Sequence, residues 1–342
     1  HQYCCPRNRM MPCVVLPFKW LPVLLIMAIV VWSYYAYVVQ LCLLYHILLI
    51  MFVWSYWRTI FAEIKSIPDK YKLPEPEVEK LLSAESEDGQ RIILENFAKE
   101  LPVVTRTMSG SVRYCNRCVL IKPDRAHHCS ICARCVLKMD HHCPWVNNCV
   151  CYHNYKFFIL FLAYALFYCL FIMGTSLPSF ITFWKVSDNQ NYLGDFGTAA
   201  SAGRYHIVFA FFVSLMFAIS LGSLFGYHCY LVANNRTTLE AFRAPMFRNG
   251  ADKNGFSLGA YKNFKEVFGN RPNLWLVPVF TSDVGFICSI EAKCTSTQLA
   301  QWSSCSTAKH RVAGSIPASD KYLCLNICRL SGCFYVLQKK SI

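Results

Sequence analysis

The chain has 342 residues, of which 55% are hydrophobic and 16% charged, and it carries a net charge of +14 and 20 cysteines. This composition excludes an ordinary soluble protein, a collagen-like or disordered chain and a coiled coil. The positive net charge is compatible with a nucleic acid, an anionic membrane surface or a polyanionic small molecule as partner. The cysteines are compatible with disulfides, metal sites or reactive thiols.

The first apolar segment covers residues 14–61, far more than the roughly 20 residues that cross a bilayer once. We predict two membrane-spanning helices, at residues 18–39 and 41–61, joined by a very short turn near Gln40 and preceded by an N-terminal segment, residues 1–17. The run is too long for the apolar core of a signal peptide. A buried hairpin of a globular protein is disfavoured, because no later segment could cover it.

Residues 62–156 are polar and form a soluble insert, with an amphipathic helix predicted at residues 78–101. Apolar runs return at residues 157–184 and 205–232, and they predict a third and a fourth span, with Pro178 ending or kinking the third. The predicted fold class is therefore an α-helical polytopic membrane protein with four transmembrane helices and a cysteine-rich domain between the second and the third.

The distribution of Lys and Arg predicts the orientation of the spans. The loop between the third and fourth spans carries only Lys185 and Arg204, whereas the insert and the segment after the fourth span are rich in both residue types. We therefore expect the insert and both termini in the cytosol. Three histidines within or beside the spans, His46, His206 and His228, are assigned no functional role.

Eight cysteines and histidines of the insert follow a repeated spacing, C-x2-C-x9-H-x6-C, and the second copy lies 14 residues after the first. Sets of three thiolates and one imidazole are typical of structural zinc, and a cytosolic location argues against disulfides. Scattered buried thiols are the alternative. We predict two structural Zn²⁺ ions, held by Cys115, Cys118, His128 and Cys135, and by Cys129, Cys132, His142 and Cys149.

The repeat leaves one cysteine without a cluster. Cys143 corresponds to Cys129, which lies 14 residues earlier and is a ligand of the second set, but there is no third set of ligands for Cys143 to join. Asp140 is present only in this second copy, where it precedes His141. We predict that Asp140 orients His141, that His141 takes the thiol proton, and that the Cys143 thiolate is a nucleophile. A merely packed thiol is the alternative.

These residues carry a family resemblance. The segment Asp140-His141-His142-Cys143, continued by the letters PWVNNC, resembles the signature of the DHHC protein S-acyltransferases, usually called palmitoyltransferases. Further along, Thr237-Thr238-Leu239-Glu240 is similar to the family's TTxE motif. Asn263 lies in a segment similar to its C-terminal motif of aromatic residues and Asn. The resemblance covers residues 14–280.

The resemblance implies a two-step reaction. Cys143 takes a fatty acyl group, such as palmitoyl, from acyl-CoA, and a cysteine thiol of a cytosolic or membrane substrate protein then takes it from Cys143. Such an enzyme lies in the lipid bilayer of endomembranes (Golgi or endoplasmic reticulum) or of the plasma membrane. The competing hypothesis is a catalytically inactive, membrane-anchored zinc module that binds proteins; a nucleic-acid partner is excluded by the spans and by the missing recognition helix.

Further residues are candidates for substrate contacts. Ser33 lies about 22 Å along the first span and Tyr168 about 17 Å along the third, depths at which they could close a cavity for the acyl chain, although a buried Tyr is often simply core. Lys122, Arg125 and Lys138 are expected to contact the phosphates of CoA, with ordinary solvated cations as the alternative.

The segment after the fourth span is expected to support the soluble region. Thr238 and Glu240 could brace it against the membrane part, and a helix-capping role for Thr238 is equally natural. The predicted divisions are the zinc domain at residues 113–156, a cytosolic segment at 233–282 carrying Thr237 and Asn263, and a divergent, disordered tail at 283–342. Cys151 stands where the family signature has Gly, which matters if that position requires a positive φ.

Overall fold

The computed structural model describes residues 15–37, 43–188 and 198–280. Eight α-helices lie in these ranges, and four of them are long and apolar: α1 (Val15–Tyr37), α2 (Leu43–Ile60), α5 (Tyr155–Asp188) and α6 (Thr198–Ala233). The turn near Gln40, almost all of the N-terminal segment and the tail after residue 280 lie outside the described residues. The predictions for those parts stay predictions.

Within the described ranges, three helical segments are long and apolar enough to cross a membrane: Leu43–Ile60, Tyr155–Lys185 and Tyr205–Ala233. The apolar part of α1 whose side chains are described, Trp20–Tyr35, is shorter. Helix α5 packs against both α2 and α6. Large apolar side chains on the outer faces are exposed, among them Leu43 and Phe209, as expected of helices that contact lipid.

One of the two alternatives for Pro178 is excluded, and one predicted helix is wrong. Pro178 does not end the third long helix, because α5 continues ten residues beyond it to Asp188, and the alternative of a kink stays a prediction; a proline in an apolar helix removes only one backbone donor, and neighbouring groups can compensate for the freed carbonyl. The single helix expected at residues 78–101 is instead two helices, α3 (Glu75–Ser83) and α4 (Glu87–Ala98). Ser86 separates them, since its side chain accepts a hydrogen bond from the amide of Gly89 and caps α4.

The cysteine-rich part of the insert is built from three short antiparallel ribbons: β1 (Tyr114–Cys115) with β2 (Leu120–Ile121), β3 (His127–Cys129) with β4 (Arg134–Val136), and β5 (His141–Cys143) with β6 (Asn148–Val150). The second and third ribbons share one register, with His128 opposite Cys135 and His142 opposite Cys149. The 14-residue repeat of the sequence is therefore a repeat of structure.

The turns of the ribbons repeat as well. Val119, Ala133 and Asn147 are spaced by 14 residues, and each has a left-handed φ, of 52°, 52° and 47° respectively. A β-branched residue such as Val is rarely found in this region, because its side chain crowds the backbone. The same turn is thus formed three times, even where the residue type disfavours it.

The chain after α6 returns to the insert through α7 (Thr238–Phe242), the ribbon of β7 (Met246–Phe247) with β8 (Gly250–Ala251), and α8 (Ala260–Phe268). Its last described residues lie against α5, where Lys156 donates hydrogen bonds to the carbonyls of Leu274 and Val279 at 2.8 and 2.9 Å. The insert and this C-terminal segment consequently form one layer at the end of the long helices where α5 begins.

Candidate active site and metal clusters

The ribbons gather the eight predicted zinc ligands into two groups. Within each group, one ligand atom from every residue lies within 4.8 Å of the others: Cys115, Cys118, His128 and Cys135 in the first group, and Cys129, Cys132, His142 and Cys149 in the second. The pairing of β3 with β4 places a histidine opposite a cysteine, and β5 with β6 repeats the arrangement.

The spacing of the ligand atoms fits a tetrahedral metal site. The sulfurs of the first group lie 3.3–3.8 Å from Nδ1 of His128, and those of the second lie 3.5–3.7 Å from Nδ1 of His142. Zinc bonds of about 2.3 Å to sulfur and 2.0–2.1 Å to nitrogen give a ligand separation of about 3.6 Å in a tetrahedron. Both groups can therefore hold zinc.

Cys143 lies at the end of β5, outside both metal groups, and only 6% of its surface is exposed. The adjacent Asp140 accepts a hydrogen bond of 2.6 Å from Nδ1 of His141. The Cys143 thiol interacts electrostatically with His141 as well. Carboxylate, imidazole and thiol thus interact in the order that an activated nucleophile requires.

The electrostatics of these groups follow from their interactions. Burial lowers the pKa of His141, but the bond to Asp140 and the interaction with Cys143 outweigh it and raise that pKa to about 9. Burial raises the pKa of Asp140, and the hydrogen bond from His141 reverses this effect and holds the pKa below its usual value. The pair therefore favours a charged carboxylate beside an imidazole that binds a proton strongly.

The Thr-Thr-Leu-Glu segment contacts this centre directly. Thr238 donates two hydrogen bonds to the Asp140 carboxylate, from its amide to Oδ1 at 2.8 Å and from Oγ1 to Oδ2 at 2.7 Å. The cap of α7 is Thr237, which forms a reciprocal capping box with Glu240. The capping role considered for Thr238 therefore belongs to its neighbour, and Thr238 fixes the orientation of Asp140.

Two of the three cations expected to contact CoA are engaged inside the protein. Arg125 forms a buried ion pair with Glu240 at 2.7 Å and a hydrogen bond to Asn235. Lys138 pairs with Glu266 of α8 at 2.7 Å and is also buried. Each charge is already paired with a carboxylate that comes from more than a hundred residues away, and Arg125 also lines the cavity that holds Lys122. Contact of Arg125 and Lys138 with CoA stays a prediction.

The third cation, Lys122, lines a cavity of about 590 Å³ between the insert and the C-terminal segment. Its wall also holds Arg106, Arg113, His127 and Arg243. Burial lowers the pKa of His127 to about 4, with Arg113 as the next cause, so this ring is neutral near pH 7 beside a strongly basic wall. The sequence did not single out these four residues, because only the fold brings them together.

Ser33 and Tyr168 meet, as their depths along the spans predicted. Their hydroxyl oxygens lie 2.5 Å apart, and Tyr45 of α2, which the sequence did not single out, adds a third hydroxyl 2.9 Å from that of Tyr168. Stacked rings continue from Tyr168 through Phe52, Phe161 and Tyr56. The last of these donates a hydrogen bond to the carbonyl of Trp145, two residues after Cys143.

His228, assigned no role from the sequence, lies beside the centre. Its ring centroid is 5.9 Å from that of His141 and 5.0 Å from that of Phe158, and its Nδ1 lies 3.0 Å from the hydroxyl of Tyr155. It projects from α6, 87 positions beyond His141, so no local pattern could have revealed the contact.

The last two positions singled out in the sequence, Asn263 and Cys151, are both buried. Asn263 is buried and donates to the carbonyl of Ala233 at 2.7 Å, which ties α8 to the end of α6. Cys151 is fully buried and is not among the described residues with a positive φ. The condition under which this departure from the family signature would matter, a positive φ, is therefore not met. Burial raises the pKa of this thiol to about 11, which keeps it protonated.

Comparison with known proteins gives the family. The family described as DHHC palmitoyltransferase matches residues 109–244. Palmitoyltransferase ZDHHC2 of Danio rerio is 53% identical over 277 residues, which cover 77% of this chain and 74% of the relative. ZDHHC20-B of Danio rerio is 53% identical over 82% of both chains, and ZDHHC15 of Xenopus laevis is 48% identical over 81% of this chain and 84% of its own. The chain thus belongs to the DHHC palmitoyltransferase family.

Proposed function

We propose that this chain is a protein S-acyltransferase that moves a long-chain fatty acyl group, palmitoyl foremost, from acyl-CoA through a thioester on Cys143 to cysteines of substrate proteins. The observation that carries the proposal is the series of interactions from Thr238 through Asp140 and His141 to Cys143. Family membership and the relatives' names as palmitoyltransferases agree with it.

The first step forms the acyl-enzyme. His141 takes the thiol proton of Cys143, and the thiolate sulfur attacks the thioester carbonyl of acyl-CoA. The bond from carbonyl carbon to CoA sulfur breaks, and the leaving thiolate of CoA takes the proton back from His141. Asp140 stabilises the transient imidazolium through the 2.6 Å hydrogen bond, and no net charge is created over the step.

The second step mirrors the first. His141 takes the proton of an incoming substrate cysteine, whose sulfur attacks the acyl carbonyl on Cys143. The Cys143–acyl bond breaks, and the Cys143 thiolate recovers the proton. One thioester is exchanged for another in each step, so the protein needs to lower the barrier but not to drive the equilibrium.

The basic cavity is our candidate for the CoA head group. It combines about 590 Å³ of space with Arg106, Arg113, Lys122 and Arg243, and such guanidinium and ammonium groups are the usual partners of phosphates. The acyl chain belongs among the long helices, along the aromatic rings that end at Tyr168 and Ser33, where each buried methylene stabilises binding by about 0.8 kcal/mol.

We further propose a Zn²⁺ ion in each Cys₃His group, held by the three sulfurs and the imidazole described above. Zinc in such closed four-ligand sites supplies folding free energy and takes no part in the reaction. It would fix the ribbons, and through them the position of Cys143 at the end of β5.

The same hypothesis assigns a location. We propose four spans, with α1 as the first, and a cytosolic insert and termini, in agreement with the distribution of Lys and Arg. The divisions at residues 113–156, 233–282 and 283–342 remain our proposed domain organisation. Golgi, endoplasmic reticulum and plasma membrane all provide the bilayer and cytosolic acyl-CoA that the reaction requires.

Labelling of the enzyme tests the proposal. The purified full chain, incubated with a labelled palmitoyl-CoA, should acquire a label that hydroxylamine removes and that Cys143→Ala abolishes. Cys169→Ala is a matched control, because this cysteine of α5 lies outside the site and should retain the label. Label that persists in Cys143→Ala, or none in the parent chain, would favour the non-catalytic zinc module instead. Metal analysis should find two zinc ions per chain.

A further inference from the structure

A third group of metal-ligating side chains lies at the reactive centre itself. One ligand atom from each of Asp140, His141 and His228 lies within 4.8 Å of the others, and Asp140 and His228 are almost completely buried. We propose that these three side chains form a reversible, inhibitory binding site for a divalent transition-metal ion, zinc foremost.

The donor set favours zinc over the hard cations. One carboxylate oxygen and two imidazole nitrogens are ligands that Zn²⁺ accepts in tetrahedral sites, with a solvent molecule in the fourth position, whereas Mg²⁺ and Ca²⁺ prefer oxygen alone. Zinc bonds of about 2.0–2.2 Å to oxygen and nitrogen place such ligands about 3.4 Å apart. The 2.6 Å contact between Asp140 and His141 therefore has to open by less than about 1 Å.

The surroundings already hold the ligands in place. Nδ1 of His228 is 3.0 Å from the hydroxyl of Tyr155, which leaves Nε2 for a metal ion, and Thr238 anchors the Asp140 carboxylate with two hydrogen bonds. Hydrogen bonds of this kind to the far side of a ligand orient it and strengthen metal binding. The ring of Phe158, edge-on to both imidazoles at 5.6 and 5.0 Å, limits the access of water.

Metal binding at this site blocks the transfer reaction. The ion takes the place of the proton between Nδ1 of His141 and Asp140, and that proton passes to Nε2, so that the metal-bound ring stays neutral. His141 then has no lone pair with which to accept the proton of the Cys143 thiol, and the protonated thiol does not attack the carbonyl. Because the ligands must first separate, this site binds zinc more weakly than the two Cys₃His groups, and a mild chelator restores activity.

The test is a zinc titration of the full chain in detergent, purified with its structural zinc and without a histidine tag. Two quantities are followed: zinc bound per chain, measured against a competing indicator, and acyl-enzyme formation. The measurement of bound zinc does not require enzymatic activity, so it tests the metal site even if the proposed function is wrong. The variants are His228→Gln and, as a matched control on the same helix, His206→Gln, which contacts the ring of Trp32 instead of the reactive centre.

The parent chain and His206→Gln should bind a third zinc ion and lose acyl-enzyme formation as it binds. His228→Gln should keep two zinc ions, and the zinc concentration that gives the same inhibition should be higher by at least about tenfold. Equal inhibition of the parent and His228→Gln, or a parent that never binds more than two ions, would overturn the proposal. If His228→Gln loses its structural zinc, Tyr155→Phe replaces it as the test variant. This change should weaken zinc binding at the third site severalfold, and an unchanged zinc affinity would refute the assignment.

Discussion

Removal of one hydroxyl from Thr238 tests how the reactive centre is oriented. Thr238→Val deletes the 2.7 Å hydrogen bond to Oδ2 of Asp140 and keeps the shape of the side chain and the amide bond to Oδ1. A hydrogen bond to a charged group is worth about 1.5–3 kcal/mol, which corresponds to a factor of about 10–150 in rate if all of it acts on the transition state. We expect acyl-enzyme formation to slow by about 10- to 100-fold.

The assay is the single-turnover rate of Cys143 acylation at saturating palmitoyl-CoA, in parallel with zinc content and the midpoint of thermal unfolding. Thr238→Ser restores the hydroxyl without the methyl group and should recover most of the rate, while zinc content stays at two ions in both variants. A rate for Thr238→Val within about twofold of the parent would refute the reasoning, because it would show that the amide alone orients Asp140. If the acylation rate of Thr238→Ser falls as far as that of Thr238→Val, the hydroxyl does not orient Asp140, and the reasoning is refuted as well.

Three further predictions follow from other contacts. Tyr168→Ala opens the deep end of the aromatic path, so competition between acyl-CoAs of different length should shift toward longer chains; an unchanged preference would contradict a role there. Glu240→Gln leaves the buried charge of Arg125 without its partner, and we expect a loss of about 3 kcal/mol in unfolding free energy, seen as a lower melting midpoint; an unaltered midpoint would disprove this. Arg243→Ala weakens the basic cavity, so KM for acyl-CoA should rise with little change in kcat, whereas an effect on kcat alone would assign Arg243 elsewhere.

The sequence alone was sufficient to predict those parts of the site whose residues lie close together in the chain. The two zinc-ligand groups and the Asp140–His141 pair lie within 35 residues, and a fixed repeat spacing is a strong constraint on which side chains meet. Apolar length located the long helices for the same reason, since crossing a bilayer requires only consecutive apolar residues. The break between α3 and α4 was missed, although Ser86 followed by acidic residues is a recognisable helix start.

The remaining contacts depend on how distant segments pack. Thr238 reaches Asp140 across 98 positions and Glu240 reaches Arg125 across 115, so neither partner could be identified from spacing. Proximity to the zinc ligands could not reveal the ion pairs of Arg125 and Lys138, because it does not say whether a cation faces solvent or a buried carboxylate. For the same reason the sequence showed only an excess of positive charge and did not reveal the basic cavity.

The interleaving of the two ligand sets has a consequence for synthesis of the chain. Since translation proceeds from the N-terminus, the first set is complete only when Cys135 leaves the ribosome, and by then Cys129 and Cys132 of the second set are already exposed. A zinc ion captured early would therefore meet five thiols from both sets. The β3–β4 pairing places Cys135 opposite His128 and so keeps the ligands of the first set together. A mutation that shifts this register by one residue should mix the two proposed zinc sites without altering any ligand.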